Sequence, residues 1–192
     1  MSRYGRQQML PEIGTVGQAR LGAACVLVVG AGGLAASALP LLAGAGVGRI
    51  TVVDGDRVEQ SNLHRQTLFT EADLGRPKAD VAAERCRALN HEVTVEPVRQ
   101  VLTPANAGDW VVQADLVLDC ADSYAVSYTL SDVCSAARVP LISASVLGVA
   151  GYVGGFCGAA PSLRAVFPDA PDNAASCATA GVMGPVVAML GA

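Results

Sequence analysis

Asp54, Asp56, Asn62, Arg65 and Gln66 fall in one polar stretch, 54–66, directly after the apolar run Ile50-Thr51-Val52-Val53. The run reads as a buried strand, so Asp54 stands where a strand gives way to a loop. Ligands of open parallel sheets bind at such strand ends. A carboxylate there can take sugar hydroxyls, and a guanidinium after it can hold phosphate oxygens. Lys78 adds a second cation, at the start of a helical pattern. A lysine opposes the helix dipole at that end, which makes sense if an anion binds beside it. The turn Gly30-Ala31-Gly32-Gly33-Leu34-Ala35 follows the short apolar run 25–29. Its glycines let backbone approach a phosphate at a helix N-terminus. Asp122 follows another apolar run, 115–119. It can hold magnesium, which is usually bound by one or two carboxylates plus substrate phosphates.

Each group also has a purely structural explanation. The glycine turn could be tight packing, Arg65 and Lys78 solvated cations, and Asp122 the N-cap of a helix over 124–137. The turn and Asp54 suit NAD and ATP equally. Arg65, Lys78 and the turn together match a triphosphate, which is more negative than the pyrophosphate of a dinucleotide.

The elements that must position these residues alternate between strand and helix patterns. Strands are expected over 25–29, 49–53, 93–98, 115–119, 139–144 and 146–157, the last glycine-rich and less regular. Helices are expected after the glycine turn, over 79–89, 104–113 and 124–137, and at the apolar end of the chain. Pro40 inside the first of these removes a hydrogen bond, so a kink or a late helix start is expected. Residues 1–22 read as an arm with a short helix over 16–21 ended by Gly22. Arg3, Arg6 and Arg20 are its cations, and solvated surface is the simplest account of them. Residues 23–192 then form one unit of α/β class, a Rossmann-like, mostly parallel sheet with helices on both faces.

Composition narrows the function. The 192 residues are 52% hydrophobic and only 16% charged, which leaves apolar surface for a partner to cover. The net charge of -4 argues against nucleic acid. The stretches 21–48 and 139–163 lack charge, but glycines and prolines interrupt both, so no membrane span is expected. The N-terminus has no secretory pattern. Six cysteines without a Cys-x-x-Cys pair fit a reduced, cytoplasmic chain.

Six motifs carry a family resemblance: Arg-Tyr-Gly-Arg-Gln at 3–7, Gly-Ala-Gly-Gly-Leu at 30–34, the block 54–66, Gly-Arg-Pro-Lys-Ala at 75–79, Asp-Cys-Ala-Asp at 119–122, and Ala-Gly-Val-Met-Gly-Pro at 180–185. Together they resemble the ThiF/MoeB/HesA group of the ubiquitin-activating-enzyme superfamily, over nearly the whole chain. The resemblance implies ATP and magnesium, and adenylation of the C-terminal glycine of a small ubiquitin-like sulfur-carrier protein of the ThiS/MoaD type. It places this chemistry in thiamine, molybdopterin or related sulfur-incorporation pathways. By the same resemblance Gly30, Gly32 and Gly33 line the nucleotide, and Asp54 holds the ribose. Asn62, Arg65 and Lys78 hold phosphates, and Asp122 stands near magnesium. Arg6 reaches the site of the other protomer of a homodimer. Cys177 lies where members carry a cysteine linked to sulfur transfer, although a small inert residue would serve there too.

The chain departs from the family at several points. Ala35 replaces the third glycine, Ser123 a common asparagine, and Ser127 a frequent arginine. Many members bind zinc with two Cys-x-x-Cys pairs, whereas 162–165 here reads Ser-Leu-Arg-Ala, so no zinc is expected. By the same resemblance the C-terminal part of the family's fold is expected to be missing from these 192 residues. Two rivals follow: a non-catalytic member that keeps the fold and dimer as a binding scaffold, and an NAD-dependent oxidoreductase. The cationic cluster and the lack of a hydride-transfer set disfavour the latter.

Overall fold

The computed structural model describes residues 3–169 and 181–192. Its core is a six-stranded sheet in the order β3-β2-β1-β4-β5-β6. The strands are β1 (Cys25–Val29), β2 (Arg49–Val53), β3 (Thr94–Val98), β4 (Leu116–Asp119), β5 (Pro140–Leu147) and β6 (Ala150–Cys157). The first five are parallel, and β6 returns antiparallel to β5. Strand order reverses between β1 and β4, and at such a switch point the loops part and leave a crevice at the C-terminal strand ends.

Both faces are covered at β1, β2 and β4, which is why these strands are apolar runs without alternation. Val26 and Val28 of β1, with Ile50 and Val52 of β2, pack on one face. They meet Ala35, Leu39 and Ala43 of α3 (Gly33–Ala45) and Val81, Ala82 and Cys86 of α4 (Lys78–Leu89). Leu27, Val29, Val53 and Val117 pack on the other face, against Val111 of α5 (Ala107–Val111) and Leu130 and Cys134 of α6 (Tyr124–Ala137). Successive residues of β1 therefore serve opposite cores, as the two-residue period of a strand requires.

Several elements differ from the expected bounds. Helix α3 starts at the glycine turn, not late, and runs through Pro40 as one element. Packing of Leu39 and Ala43 on the sheet outweighs the one hydrogen bond that Pro40 cannot give. It ends at Gly46, whose left-handed backbone (φ 82°) leaves its N–H bonded to the Ala43 carbonyl and that of Val47 to Leu42. The fifth strand continues to Leu147, so Val146 and Leu147 belong to β5 and not to the strand after it, and Ser145, left between the two, joins β5 as well. The short helix α7 (Leu163–Val166) lies where only loop was expected, and α8 (Gly184–Gly191) closes the described chain.

The N-terminal arm is not simply solvated. It forms α1 (Gly5–Gln8) and α2 (Gly14–Ala23), and α2 continues past Gly22. The Tyr4 ring lies against Gly46, where a Cβ would stand 2.6 Å from Tyr4 Cζ. The Tyr4 hydroxyl donates to Glu92 Oε2 at 2.8 Å and accepts from Asn90 Nδ2 at 2.8 Å. Gln7 Nε2 donates to Gln18 Oε1 and to the Ala45 carbonyl. These bonds seat the arm at the C-terminal end of α3. No described helix is long and apolar enough to cross a membrane.

Candidate functional site

The crevice predicted by the strand order is a cleft of about 320 Å³. Four loops meet in it. The β1–α3 turn brings Gly30, Gly32 and Gly33, and the segment after β2 brings Asp54, Asp56, Arg65, Gln66 and, opening α4, Lys78. The β4–α6 loop brings Asp122. The segment after β3 adds Val101 and Leu102, and the end of β5 adds Ser145, Val146 and Leu147. Nine of the residues expected in the site thus share one cavity.

Gly30 is required where it stands. Its φ is 89°, and a Cβ would lie 2.7 Å from the Cys120 carbonyl oxygen. The turn is thereby pressed against the β4–α6 loop. Gly32 faces the cleft, and a Cβ there would meet only the Gln66 Nε2, at 3.7 Å. Asp54 clamps this corner: its Oδ2 accepts from the Ala31 N–H at 2.6 Å and its Oδ1 from the Asp56 N–H at 2.7 Å.

The cations are held from below. Lys78 is only 6% exposed, and its Nζ donates to Asp56 Oδ2 at 3.0 Å. Asp56 therefore answers the cation at the start of α4, and Lys78 is an ordered group, not a solvated one. The Arg65 Nη1 donates to the Ser61 carbonyl at 3.2 Å and lies 2.8 Å from His64 Nε2. Gln66 is 4% exposed, and its Oε1 is buried with no hydrogen-bond partner among the described residues. An orphan acceptor at a cleft wall suits a ligand hydroxyl or amine.

Two helices point their N-termini into the cleft uncapped. Among the described residues no side chain caps α3 at Gly32 or α6 at Ser123, and neither first turn contains an acid. Their free N–H groups and partial positive charge favour an anion between them. Asp122 does not act as the cap of α6. Its exposed carboxylate makes no hydrogen bond or ion pair with the described residues. Among those residues no group of three or more His, Cys, Asp or Glu is arranged to hold a metal. A divalent ion here would bind through Asp122 and complete its shell from phosphates and water, the usual manner of magnesium. Nucleotide and magnesium therefore both fit the donors present. Zinc does not fit at 162–165, where Ser162 Oγ accepts from the Ala165 N–H at 3.2 Å as a helix cap.

Two expected residues stand apart. Asn62 lies outside the cleft lining, and its carbonyl accepts from the N–H groups of Arg65 and Gln66, so it shapes the turn that presents them. Arg6 sits on α1 near the C-terminal end of α3, whereas the cleft lies at the N-terminal end of that helix, about 20 Å away for thirteen residues. Cys177 lies outside the described residues. Cys120 lines the cleft, but burial and the nearby Asp119 push its thiol up to about 12, so it is no nucleophile there.

Beneath Asp122 lies a residue that the sequence reading passed over. Asp119, the last residue of β4, is 1% exposed. Burial pushes its carboxyl up, against the opposing pull of Ser127, Ser143 and the Ala121 N–H. Ser127, standing where an arginine is frequent in the family, is thus turned inward onto this carboxyl. Val101, Leu102 and Ser145–Leu147 were also missed. The first two follow a strand end and share the signal that marked Asp54, whereas the misplaced β5 boundary hid the others.

A mostly parallel sheet with a glycine turn at its switch point is the arrangement of a Rossmann-like fold. The chain matches the ThiF family over residues 4–192 and belongs to it. It is 45% identical over 201 residues to the adenylyltransferase and sulfurtransferase uba4 of Aspergillus fumigatus, covering 98% of this chain and 41% of that protein. It is 48% identical over 192 residues to the adenylyltransferase and sulfurtransferase MOCS3 of Bos taurus, with 98% and 42% covered. The chain thus spans less than half the length of these relatives. Among solved structures, E. coli MccB with MccA-N7isoASN superposes with a TM-score of 0.83 at 22% identity, over 100% of this chain and 61% of that one. The E. coli tRNA N6-threonylcarbamoyladenosine dehydratase TcdA in complex with ATP superposes with a TM-score of 0.72 at 32% identity, over 76% and 60%.

Proposed function

We propose that the chain is an ATP-dependent adenylyltransferase that activates the C-terminal glycine carboxylate of a small ubiquitin-like sulfur carrier. The observation that carries the reading is the pair of uncapped helix N-termini facing one cleft with Arg65 and Lys78 on its rim. The adenylyltransferase names of the 45–48% identical relatives support it. So does the ATP complex of TcdA. Residues 23–192 form the adenylation domain and 1–22 its arm.

The reaction follows from these groups. The glycine carboxylate oxygen attacks the α-phosphorus, the bond to the bridging oxygen breaks, and pyrophosphate leaves. No proton needs to be removed from an ionised carboxylate, so the step calls for alignment and charge neutralisation and not for a base. The turn at Gly30, Gly32 and Gly33 and the N–H groups of α3 bind phosphate oxygens. Arg65 and Lys78 neutralise charge that develops on the leaving pyrophosphate, and Asp56 keeps Lys78 in position. Asp54 and Gln66 orient the ribose side. Asp122 holds magnesium, which when bound supplies Lewis-acid charge to the phosphates. Arg6 is too far from its own cleft and completes the site of a second copy, which makes the active form a homodimer. Cys177 is the residue this reading links to a later sulfur-transfer step. The setting is cytoplasmic, in thiamine, molybdopterin or related sulfur incorporation.

Incubation with ATP, magnesium and a carrier ending in Gly-Gly tests the reading by intact mass. An acyl-adenylate of the carrier is expected. A carrier without its last glycine should give none. Lack of adduct with every carrier, alongside normal ATP binding, would favour a scaffold over an enzyme.

A further inference from the structure

Asp119 is a buried carboxylate with no cation beside it among the described residues, which is an expensive placement unless its hydrogen bonds are needed. Its partners come from separate elements. Oδ2 accepts from Ser143 Oγ of β5 at 2.8 Å, and Oδ1 accepts from the Ala121 N–H of the β4–α6 loop at 3.2 Å. Ser127 of α6 faces the same carboxyl and helps hold it down against the effect of burial. Ser143 Oγ is also 3.3 Å from the Tyr152 hydroxyl of β6. One side chain therefore joins β4, β5 and the β4–α6 loop, with β6 behind it, and the loop it grips carries Asp122 at the cleft mouth.

The glycine turn and Lys78 have holds of their own besides their packing on this loop. The glycine turn is held by the Gly30 N–H on the Val53 carbonyl, and by Asp54 on the Ala31 N–H. Lys78 is held by Asp56. Loss of Asp119 should loosen the Asp122 side of the site and leave the phosphate side in place. A residue that only stabilised the fold would weaken both sides alike.

We propose that Asp119 is a positioning residue for Asp122, fixing the β4–α6 loop so that its free carboxylate meets the divalent ion of a bound metal–nucleotide. This rests on the nucleotide reading of the cleft above. It adds a role for a residue that touches neither nucleotide nor metal.

The test is the gain in ATP affinity on adding magnesium, measured by titration calorimetry on the full chain with and without magnesium chloride. Asp119→Ala should reduce that gain at least tenfold while metal-free ATP affinity stays within twofold. Asp119→Asn still offers the Ala121 N–H an acceptor and should keep the gain within threefold. Should Asp119→Ala not fold, Ser143→Ala decides: it removes the 2.8 Å bond and should lower the gain about threefold through the loosened loop. An unchanged gain in the variant that folds, or equal losses with and without magnesium, overturns the proposal. Absence of ATP binding by the unaltered chain would instead overturn the nucleotide reading itself.

Discussion

Asp122 and Lys78 sit in one cleft in opposite states, one free and one paired, and this contrast sets what substitution should do. Asp122→Ala removes the single unpaired carboxylate of the β4–α6 loop without disturbing a hydrogen bond. We expect adenylation to fall by about a hundredfold or more, the scale of losing one group that stabilises transition-state charge, with an unchanged melting temperature. Retained turnover in a carrier-adenylation assay would remove Asp122 from the mechanism. Asp73 lies outside the site and tests the electrostatics of the scaffold. Burial alone would raise its carboxyl, but the Thr70 hydroxyl and N–H and the Arg85 guanidinium hold it at about 2. A carboxylate depressed in the folded state contributes stability above its unfolded pKa and loses it as pH falls through the folded value. Asp73 should thus contribute about 2 kcal/mol near neutral pH that disappears between about pH 4 and pH 2. Asp73→Asn should flatten that part of the stability profile measured by urea unfolding. The types and spacing of Asp54, Lys78 and Asp122 were legible in the sequence because each follows a strand or opens a helix. Asp119 was not. A strand-end acid that turns inward looks the same in sequence as one that turns out.

The glycine turn and the segment after β6 are the elements whose chemistry is most exposed to a single change. Gly30→Ala would put a Cβ 2.7 Å from the Cys120 oxygen at a positive φ. It should cost about 1–3 kcal/mol in strain and weaken ATP binding with it. Thermal unfolding and ATP titration would both register the change. Helix α7 is fastened by side chains. Arg164 forks onto Asp132 with Nε to Oδ1 at 2.9 Å and Nη2 to Oδ2 at 2.8 Å, and its guanidinium lies 4.4 Å from the centroid of the Tyr128 ring. Both ion-pair partners are about half exposed, so Arg164→Ala should cost only about 1 kcal/mol. A chelator should leave the melting temperature unchanged, and a clear drop would contradict the cap at Ser162. The strands of the parallel core were readable as apolar runs because both faces are covered. The β5–β6 boundary was not, since Ser145–Gly148 continue the same polarity and only pairing with β6 assigns them.

At the scale of the whole molecule, the arm decides how the site is completed. Its contacts with Gly46, Asn90 and Glu92 join residues far apart in sequence, so no local pattern announced them. They leave Arg6 at the end of α3 remote from the cleft. A two-fold dimer with Arg6 donated across it makes a specific prediction. Equal mixing of Arg6→Ala and Asp122→Ala chains places one intact site in each hybrid dimer, so activity should return to about a quarter of the unaltered level. Activity no higher than either variant alone would argue for sites confined to single chains. The central claim is tested most directly by ATP–pyrophosphate exchange, with magnesium and a carrier ending in Gly-Gly. The account predicts exchange that requires the carrier's terminal glycine and is lost in Asp122→Ala. ATP binding without exchange for any such carrier would contradict it.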